Sequence, residues 1–281
     1  MSPRIESDVS HGVWAALEER RARTGESADQ MIDALLAEAL ELERHSLFQV
    51  STSNALVQGV FGGVITVGDL RRHGDFGLGT FSGLDGELVM IDGDCFRVST
   101  GGTVEIADDR LEVPFALVTR FDADLAVTLE ESMSLEELTG LIDSSRPSEN
   151  LFVGLRIDGG FTKLSMRAAC KAVPGENLVE ATSHQSEFEF EELVGSLVGF
   201  WSPPYSRSIG VPGYHFHFIS DDRETGGHVL DLQASRCVIG LHTESDLHLA
   251  LPGTADFLAA DLSGDHDREL EAVETEHRRS G

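Results

Sequence analysis

The chain has 281 residues, enough for a sizeable core arranged as two domains or as one large domain with an extension. It carries 49 acidic residues against 21 basic ones, a formal net charge of −28, and only Lys163 and Lys171 are lysines. Such a surface should repel nucleic acid and anionic membranes. It predicts a salt-adapted protein, since screening by salt relieves self-repulsion.

The N-terminus and the cysteines indicate the compartment. A secreted acidic protein is the alternative to a cytoplasmic one, but the sequence shows no apolar signal segment and no apolar run of 18 residues. Cys95, Cys170 and Cys237 are odd in number, far apart and without CxxC spacing. They fit buried thiols in a reducing compartment, so a cytoplasmic protein without membrane association is expected.

Residues 1 to 45 differ in pattern from the rest. RIESDVS alternates apolar and polar residues and predicts a short strand, while VWAALEERRART and ADQMIDALLAEALELE predict two helices. This order resembles a ribbon-helix-helix module, a class that forms intertwined dimers and often reads DNA with its strand. Residues 1 to 45 contain ten acidic residues and five arginines, and this negative charge disfavours binding to DNA phosphates. We therefore expect an add-on module that dimerises the chain, giving a homodimer or higher homo-oligomer.

From Leu47 onward, glycines punctuate short alternating runs that predict strands, and LDG and IDGD predict hairpin turns. A capping-box pattern, SLEE, opens a predicted surface helix at 134 to 145. EFEFEELVGSLVGF is compatible with either strand or helix. The pattern predicts one lobe at 46 to 150 and a second at 151 to 281, whose charged end reads as a solvated tail.

Residues 213 to 228, GYHFHFISDDRETGGH, have the pattern of a metal site on a β-hairpin. His215 and His217 are two apart, which on a strand sends both imidazoles to one face. The polar stretch 221 to 227 ends in a glycine pair and predicts the turn, after which His228 opens the returning strand. Three neutral imidazoles leave coordination positions open, as in a catalytic zinc site. The alternative is an exposed strand whose histidines alternate without a ligand.

No nucleotide-binding motif accompanies these histidines. GFGGV and TGGT are glycine-rich but lack a following helix signal, so they predict turns, and no organic cofactor is expected. The chain has further histidines without ligand spacing, which we predict to be structural or exposed: His73, His184, His242 and His248.

Several long motifs occur in the order typical of one family. These are LFQVSTSNALVQGVFGG at 47 to 63, HGDFGLGTFSGLDGELVMIDG at 73 to 93, PFALVTRF at 114 to 121, and VGFWSPPYSRSIGVPGYHFHFISDDRETGGHVLD at 198 to 231. Over residues 47 to 276 the sequence resembles the α-acetolactate decarboxylases. The resemblance implies an α+β fold that is β-rich and two-lobed, with mixed and antiparallel sheets. The small N-terminal strand-helix-helix module would be added to that fold.

The resemblance assigns roles to residues one by one. The family's metal-binding histidines fall on His215, His217 and His228, the residues already selected by spacing. Its LDGE glutamate, a catalytic residue, falls on Glu87.

Three further residues are matched by shorter motifs. The family's active-site arginine, which binds substrate, falls on Arg167, although the segment here reads RAACKA where the family has RSVPKQ or similar. Its C-terminal catalytic glutamate falls on Glu274 in LEAVE. The threonine of GxGTF, which contributes to the wall of the substrate pocket, falls on Thr80.

The implied activity is metal-dependent decarboxylation of the small molecule 2-acetolactate to acetoin. Loss of carbon dioxide leaves an electron pair that the neighbouring ketone accepts, and zinc would polarise that ketone and stabilise the enediolate. An arginine suits the negative charge, and a carboxyl group can return a proton to carbon. One alternative is a zinc decarboxylase of a related 2-hydroxy-3-oxo acid such as acetohydroxybutyrate. The other is a metal-bound regulatory protein that uses the N-terminal module.

Overall fold

The structure is a computed structural model that describes residues 6–24, 27–39, 45–264 and 269–270. The chain divides into two compact units, Met1–Arg44 and His45–Gly281. None of the helices in these described ranges combines the length and the apolar character that crossing a bilayer requires.

The first unit contains two helices, α1 (His11–Thr24) and α2 (Ala28–Ala39). Both fall where apolar spacing predicts them. The strand expected from RIESDVS is absent from its described part, residues 6–10, which form no regular element. A strand requires a partner for its backbone hydrogen bonds, and the described part of this unit offers only helices. The remainder of that segment lies outside the described residues.

The second unit holds fifteen strands and five helices within its described ranges. The strands are β1 (Ser46–Val50), β2 (Ile65–Thr66), β3 (Phe76–Thr80), β4 (Glu87–Ile91), β5 (Asp94–Val98), β6 (Val104–Ile106), β7 (Glu112–Val113), β8 (Phe115–Thr119), β9 (Leu125–Leu129), β10 (Met133–Ser134), β11 (Phe152–Ala168), β12 (Ser186–Ser202), β13 (Gly213–Ser220), β14 (Gly226–Glu244) and β15 (Asp246–Ala250). The helices are α3 (Ser53–Val57), α4 (Val67–Leu70), α5 (Leu135–Ser145), α6 (Leu178–Thr182) and α7 (Ala255–Ala259).

The first sheet has seven strands in the order β15-β1-β8-β3-β4-β5-β6. It is mixed, because β15 pairs parallel to β1 while the other neighbours are antiparallel. The IDGD motif makes the tight hairpin between β4 and β5, with Asp92 at φ 53° and Gly93 at φ 81°. That backbone conformation explains the Asp-Gly pair, since both central residues of such a turn need positive φ.

The second sheet has six strands and is antiparallel throughout. Its long strands β11, β12, β13 and β14 pair in a closed cycle, because β14 contacts both β11 and β13. The segment EFEFEELVGSLVGF, compatible with strand or helix in the sequence, lies entirely within β12. The predicted helix at 134 to 145 is confirmed as α5, and Ser134 and Glu137 form its capping box.

The turn of the histidine hairpin is shorter than the predicted stretch 221 to 227, because its two final glycines belong to a strand. Gly226 and Gly227 begin β14 and pair with Ile219 and Phe218. A Cβ atom at Gly226 would lie 2.7 Å from the Phe218 carbonyl oxygen, and one at Gly227 would lie 2.9 Å from the Arg167 carbonyl oxygen. The two glycines therefore allow neighbouring strands to approach closely, which is a role of glycine in sheets as well as in turns.

The core consists of three hydrophobic clusters. One cluster takes residues from both large sheets, one lies on the outer side of the six-stranded sheet under α5, and one covers the opposite face of the seven-stranded sheet. Strand alternation then decides which side chains point between the sheets. On β4, Val89 and Ile91 belong to the inter-sheet cluster while Leu88 and Met90 face away. Glu87 shares the parity of Val89, so it points between the sheets.

The same rule orients the histidine strand. Phe216 and Phe218 of β13 belong to the outer cluster, while Ile219 belongs to the inter-sheet cluster. His215 and His217 share the parity of Ile219. The two imidazoles therefore point between the sheets, toward the carboxyl group of β4.

All three cysteines are free thiols, as the spacing predicts. Cys95 and Cys237 are buried. Cys170 is half-buried, so the expectation that all three are buried is wrong for this residue. It lies in the irregular segment after β11, where no sheet covers both of its sides.

Candidate active site

Three imidazoles meet between the two sheets. The Nε2 atom of His215 lies 3.2 Å from Nε2 of His217 and 3.1 Å from Nδ1 of His228. His217 and His228 face each other directly across the β13–β14 pair, and His215 is two residues farther along the same face. The hairpin predicted from the sequence thus brings all three rings together.

The surroundings of these rings keep them neutral. Burial lowers the pKa of His215 and His228 well below the usual range of histidine and lowers that of His217 to about 4. The positive charge of Arg167 lowers the pKa of all three further. The Nδ1 atom of His217 lies 2.8 Å from the Leu88 carbonyl oxygen, so Nδ1–H donates and Nε2 keeps its lone pair. A neutral ring with a free lone pair is the form that binds a metal.

The spacing of the three nitrogens fits a divalent cation. Zinc–nitrogen bonds of about 2.0–2.1 Å in a tetrahedron place neighbouring donor atoms about 3.4 Å apart. The separations of 3.1 and 3.2 Å are close to that value. The bond from His217 to Leu88 is also the kind of outer contact that holds a metal ligand in position. These histidines can therefore hold a metal ion.

Glu87 lies beside the triad. Its Oε2 is 3.6 Å from Nε2 of His217, and its Oε1 accepts a hydrogen bond from the Ala169 amide at 2.9 Å. Burial raises the pKa of Glu87, and the charge of Arg167 and the Ala169 amide offset part of that rise. A carboxyl group with a raised pKa next to a metal-binding site can hold a proton and release it.

Arg167 and Thr80 line the same pocket. Arg167 is buried near the end of β11, in register with His228 on β14. Thr80 lies opposite Glu87 in the β3–β4 pair, and its hydroxyl donates to the Gly86 carbonyl oxygen at 2.9 Å. The Thr80 side chain thus closes the turn before β4 and contributes to the pocket wall.

The pocket has a largely apolar wall that the sequence motifs did not indicate. Its wall includes Leu56, Leu84, Phe115, Leu178, Val211 and Leu270. These residues come from distant segments and are ordinary apolar residues in their local patterns, so no sequence signal separates them from the core. Leu270 is buried although the segment from 264 onward reads as solvated. Glu274 lies outside the described residues.

Comparison with known proteins supports one family. A family model described as alpha-acetolactate decarboxylase matches residues 47–264. The alpha-acetolactate decarboxylase of Methanosarcina mazei is 44% identical over 229 residues, which is 81% of this chain and 80% of that protein. The Bacillus subtilis enzyme of the same name is 37% identical over 230 residues, 81% of this chain and 90% of that protein.

A solved structure gives the same result for the fold. The crystal structure of alpha-acetolactate decarboxylase from Bacillus subtilis strain 168 matches with a TM-score of 0.79 at 36% identity, covering 82% of this chain and 98% of that one. The fold is thus that of a class of carboxy-lyases. This chain belongs to the alpha-acetolactate decarboxylase family. The family resemblance and the β-rich fold class predicted from the sequence are confirmed.

Proposed function

We propose that this protein decarboxylates 2-acetolactate to acetoin in the pocket between its two large sheets. The observation that carries the proposal is the convergence of three neutral imidazoles beside one carboxyl group and one arginine, in a chain of this family. Members of the family named above are alpha-acetolactate decarboxylases.

The metal that we propose is zinc, held by His215, His217 and His228. Imidazole nitrogen at tetrahedral spacing suits zinc, and three protein ligands leave a position open for substrate. When bound, such an ion supplies a positive charge that polarises the substrate's ketone and hydroxyl oxygens and stabilises negative charge on them.

Arg167 is the residue that we assign to the substrate's negative charge. In the reaction the bond between the carboxylate and the central carbon breaks, carbon dioxide leaves, and the electron pair moves toward the neighbouring ketone. The guanidinium group is planar and permanently charged, so it can bind the carboxylate before the reaction or the enediolate after it. Its burial beside the triad strengthens that interaction, because little water competes for it.

We assign to two carboxyl groups the transfer of the proton that replaces carbon dioxide on the substrate carbon. Glu87, with its raised pKa, is placed to exchange a proton at the oxygens of the enediolate. We assign delivery to carbon to Glu274. Leu270 lines the pocket, and four residues of chain extend at most about 14 Å, so a carboxyl group at position 274 can reach the site. The three histidines cannot supply this proton while they bind a metal.

The apolar wall favours a second substrate of the same class, the 2-hydroxy-3-oxo acid acetohydroxybutyrate. It differs by one methylene group, which changes binding in an apolar pocket by about 1–3 kcal/mol. We therefore expect turnover of both acids.

Replacing the triad tests the function directly. His215→Ala, His217→Ala or His228→Ala should each remove one zinc equivalent per chain and most acetoin formation from racemic acetolactate, while the fold persists because the sheets do not depend on the ion. Metal analysis, circular dichroism and an acetoin assay with and without chelator measure these effects. His184→Ala removes an exposed histidine outside the triad and serves as the control. Full activity in a triple variant that has lost this zinc equivalent would refute the mechanism.

The proposed catalytic role of Glu274 can be tested against a control carboxylate from the same C-terminal segment. Glu274→Gln should lower turnover by about 10²-fold, the usual scale for a general acid, and should reduce the stereochemical purity of the acetoin, with zinc content unchanged. Glu269→Gln changes an exposed carboxylate of the same segment and should leave both quantities unaltered. Normal turnover and a single acetoin enantiomer from the Glu274→Gln variant would show that Glu274 does not deliver the proton.

The first unit is proposed to join two copies of the chain into a homodimer or a higher homo-oligomer. It leaves large apolar side chains about half exposed, which is typical of an association surface: Val13, Trp14, Ile32, Leu35 and Leu36. Deleting residues 1–44 should lower the assembly state measured by light scattering and leave acetoin formation largely intact. A folded but inactive truncated protein would show that this unit contributes to the active site.

We further propose a cytoplasmic protein adapted to salt, on the evidence of the free thiols and the net charge of −28. Raising sodium chloride from about 0.1 to 1 M shortens the Debye length from about 10 to 3 Å, which weakens repulsion among surface carboxylates. The melting temperature should rise by about 5 °C or more. A neutral osmolyte at equal osmolality is the control. A melting temperature that falls with salt would contradict the proposal.

A further inference from the structure

A second cluster of metal-ligand side chains lies in the unit that carries the active site. It consists of His45, just before β1, Asp124, just before β9, and His242 near the end of β14. One ligand atom from each residue lies within 4.8 Å of the others. The triad and this cluster are the two such groups among the described residues. Spacing in the sequence gave no sign of it, because the three residues are separated by 79 and 118 positions (124 − 45 and 242 − 124).

The backbone around Thr243 holds two of these side chains. Its amide donates to Oδ2 of Asp124 at 2.7 Å, and its carbonyl oxygen lies 2.7 Å from Nδ1 of His45. The carbonyl oxygen of His45 accepts from the amides of Ser245 and Asp246 at 2.9 and 3.0 Å. These bonds fix His45 at φ 56°, a conformation that non-glycine residues rarely adopt. A residue held in such a conformation by its surroundings is a candidate for a functional role.

Both rings are held in place by backbone carbonyl oxygens at Nδ1. Nδ1 of His45 is bonded to the Thr243 carbonyl oxygen, and Nδ1 of His242 lies 2.6 Å from the Asp122 carbonyl oxygen. In the neutral rings these contacts place the proton on Nδ1 and leave the lone pair on Nε2. The rings stack with their centroids 4.8 Å apart. A backbone carbonyl on one ring nitrogen with the other nitrogen free is the arrangement common among metal-binding histidines.

Several buried polar atoms at or beside the rings have no hydrogen-bond partner within the usual distance and angle limits. Nε2 of His242 and both carboxylate oxygens of Glu244 are buried without a hydrogen-bond partner of ordinary geometry. Oε1 of Glu244 lies 3.7 Å from that Nε2, and the Thr119 hydroxyl, 3.4 Å from the Ser46 carbonyl oxygen, is the nearby side chain that can also donate to this carboxyl group. Leaving such atoms unsatisfied costs about 1–3 kcal/mol each. A lone pair and a carboxylate facing one another are both satisfied by a cation.

We propose that His45, Asp124 and His242 form a second metal site, for a divalent transition-metal cation of the zinc class. Two imidazoles and one carboxylate, with water in the remaining position, are a donor set that zinc accepts. Tetrahedral coordination requires donor atoms about 3.4 Å apart. The exposed carboxylate of Asp124 can rotate to close the present separation, because its Oδ2 bonds to Thr243 while Oδ1 is the atom left to coordinate.

The expected role of this site is structural. Its ligands come from the residue before β1 of the seven-stranded sheet, the residue before β9, and β14 of the six-stranded sheet. A bound ion would therefore link the two sheets. None of the three ligands lines the active-site pocket. Occupancy should consequently raise stability without entering the decarboxylation, and the two metal sites can be tested separately.

The test starts from a protein without the first site. The His215→Ala/His217→Ala variant is stripped with chelator, dialysed and titrated with Zn²⁺ alone by calorimetry, and its melting temperature is followed. It should bind one zinc per chain, and the melting temperature should rise with zinc concentration, because an ion that binds only the folded state stabilises it. Co²⁺ in place of zinc should give the visible absorption of a tetrahedral site.

Single changes then locate the ion. In the same background Asp124→Asn, which can keep the Thr243 hydrogen bond, and His45→Asn should each weaken zinc binding by about 100-fold or more, since changes in outer contacts alone cost 10–100-fold. His11→Asn, an exposed histidine of the first unit, should bind as the parent does. Introduced singly into the otherwise unchanged protein, Asp124→Asn and His45→Asn should remove one zinc equivalent and leave acetoin formation unaltered.

Two results would overturn the proposal. One is a His215→Ala/His217→Ala variant that binds no zinc, and the other is zinc binding that Asp124→Asn and His45→Asn leave unchanged. Either result would mean that these side chains hold no ion. Both results are independent of whether the unchanged protein makes acetoin, so this test fails or succeeds separately from the proposed function.

Discussion

The register of the β13–β14 hairpin is the constraint on which the site depends. It sets His217 opposite His228 and leaves His215 on the same face. Side chains alternate along a strand, so a slip of one residue would turn the imidazoles into the outer hydrophobic cluster and bring Phe216 and Phe218 between the sheets. Burial of those two phenylalanines therefore selects the register in which the histidines converge.

The position between two sheets sets the chemistry of these groups as well as their geometry. Burial disfavours charge, so the same surroundings lower the pKa of the imidazoles and raise that of Glu87. Neutral imidazoles can bind a cation without first losing a proton. The His217–Leu88 contact ties the six-stranded sheet to the seven-stranded one. A shift of one sheet against the other would therefore disturb the metal ligands and Glu87 together.

The sequence predicted the parts of the molecule that local pattern controls. HxH alternation, the turn and the returning strand were sufficient for the triad, and Asp-Gly turns and a capping box located a hairpin and α5. Glu87 and Arg167 were found through family motifs, because their approach depends on pairings between distant strands. His242 was predicted to be merely structural or exposed, since its neighbours His45 and Asp124 are remote in sequence. The roles assigned to these residues, and to Glu274, stay predictions.

The anionic substrate is subject to the long-range field of the acidic surface and to the short-range charges inside the pocket. The substrate is an anion, and the surface carries a net charge of −28, so the long-range field opposes its approach. At molar salt that field fades within about 3 Å of each charge, and only groups inside the pocket still act on the substrate. Among the described residues that line the pocket, Arg167 is the one cation, and a metal ion held by the three histidines would add a second positive charge. The acidic surface can thus serve solubility in salt while the pocket alone determines substrate affinity, so the two properties can change independently.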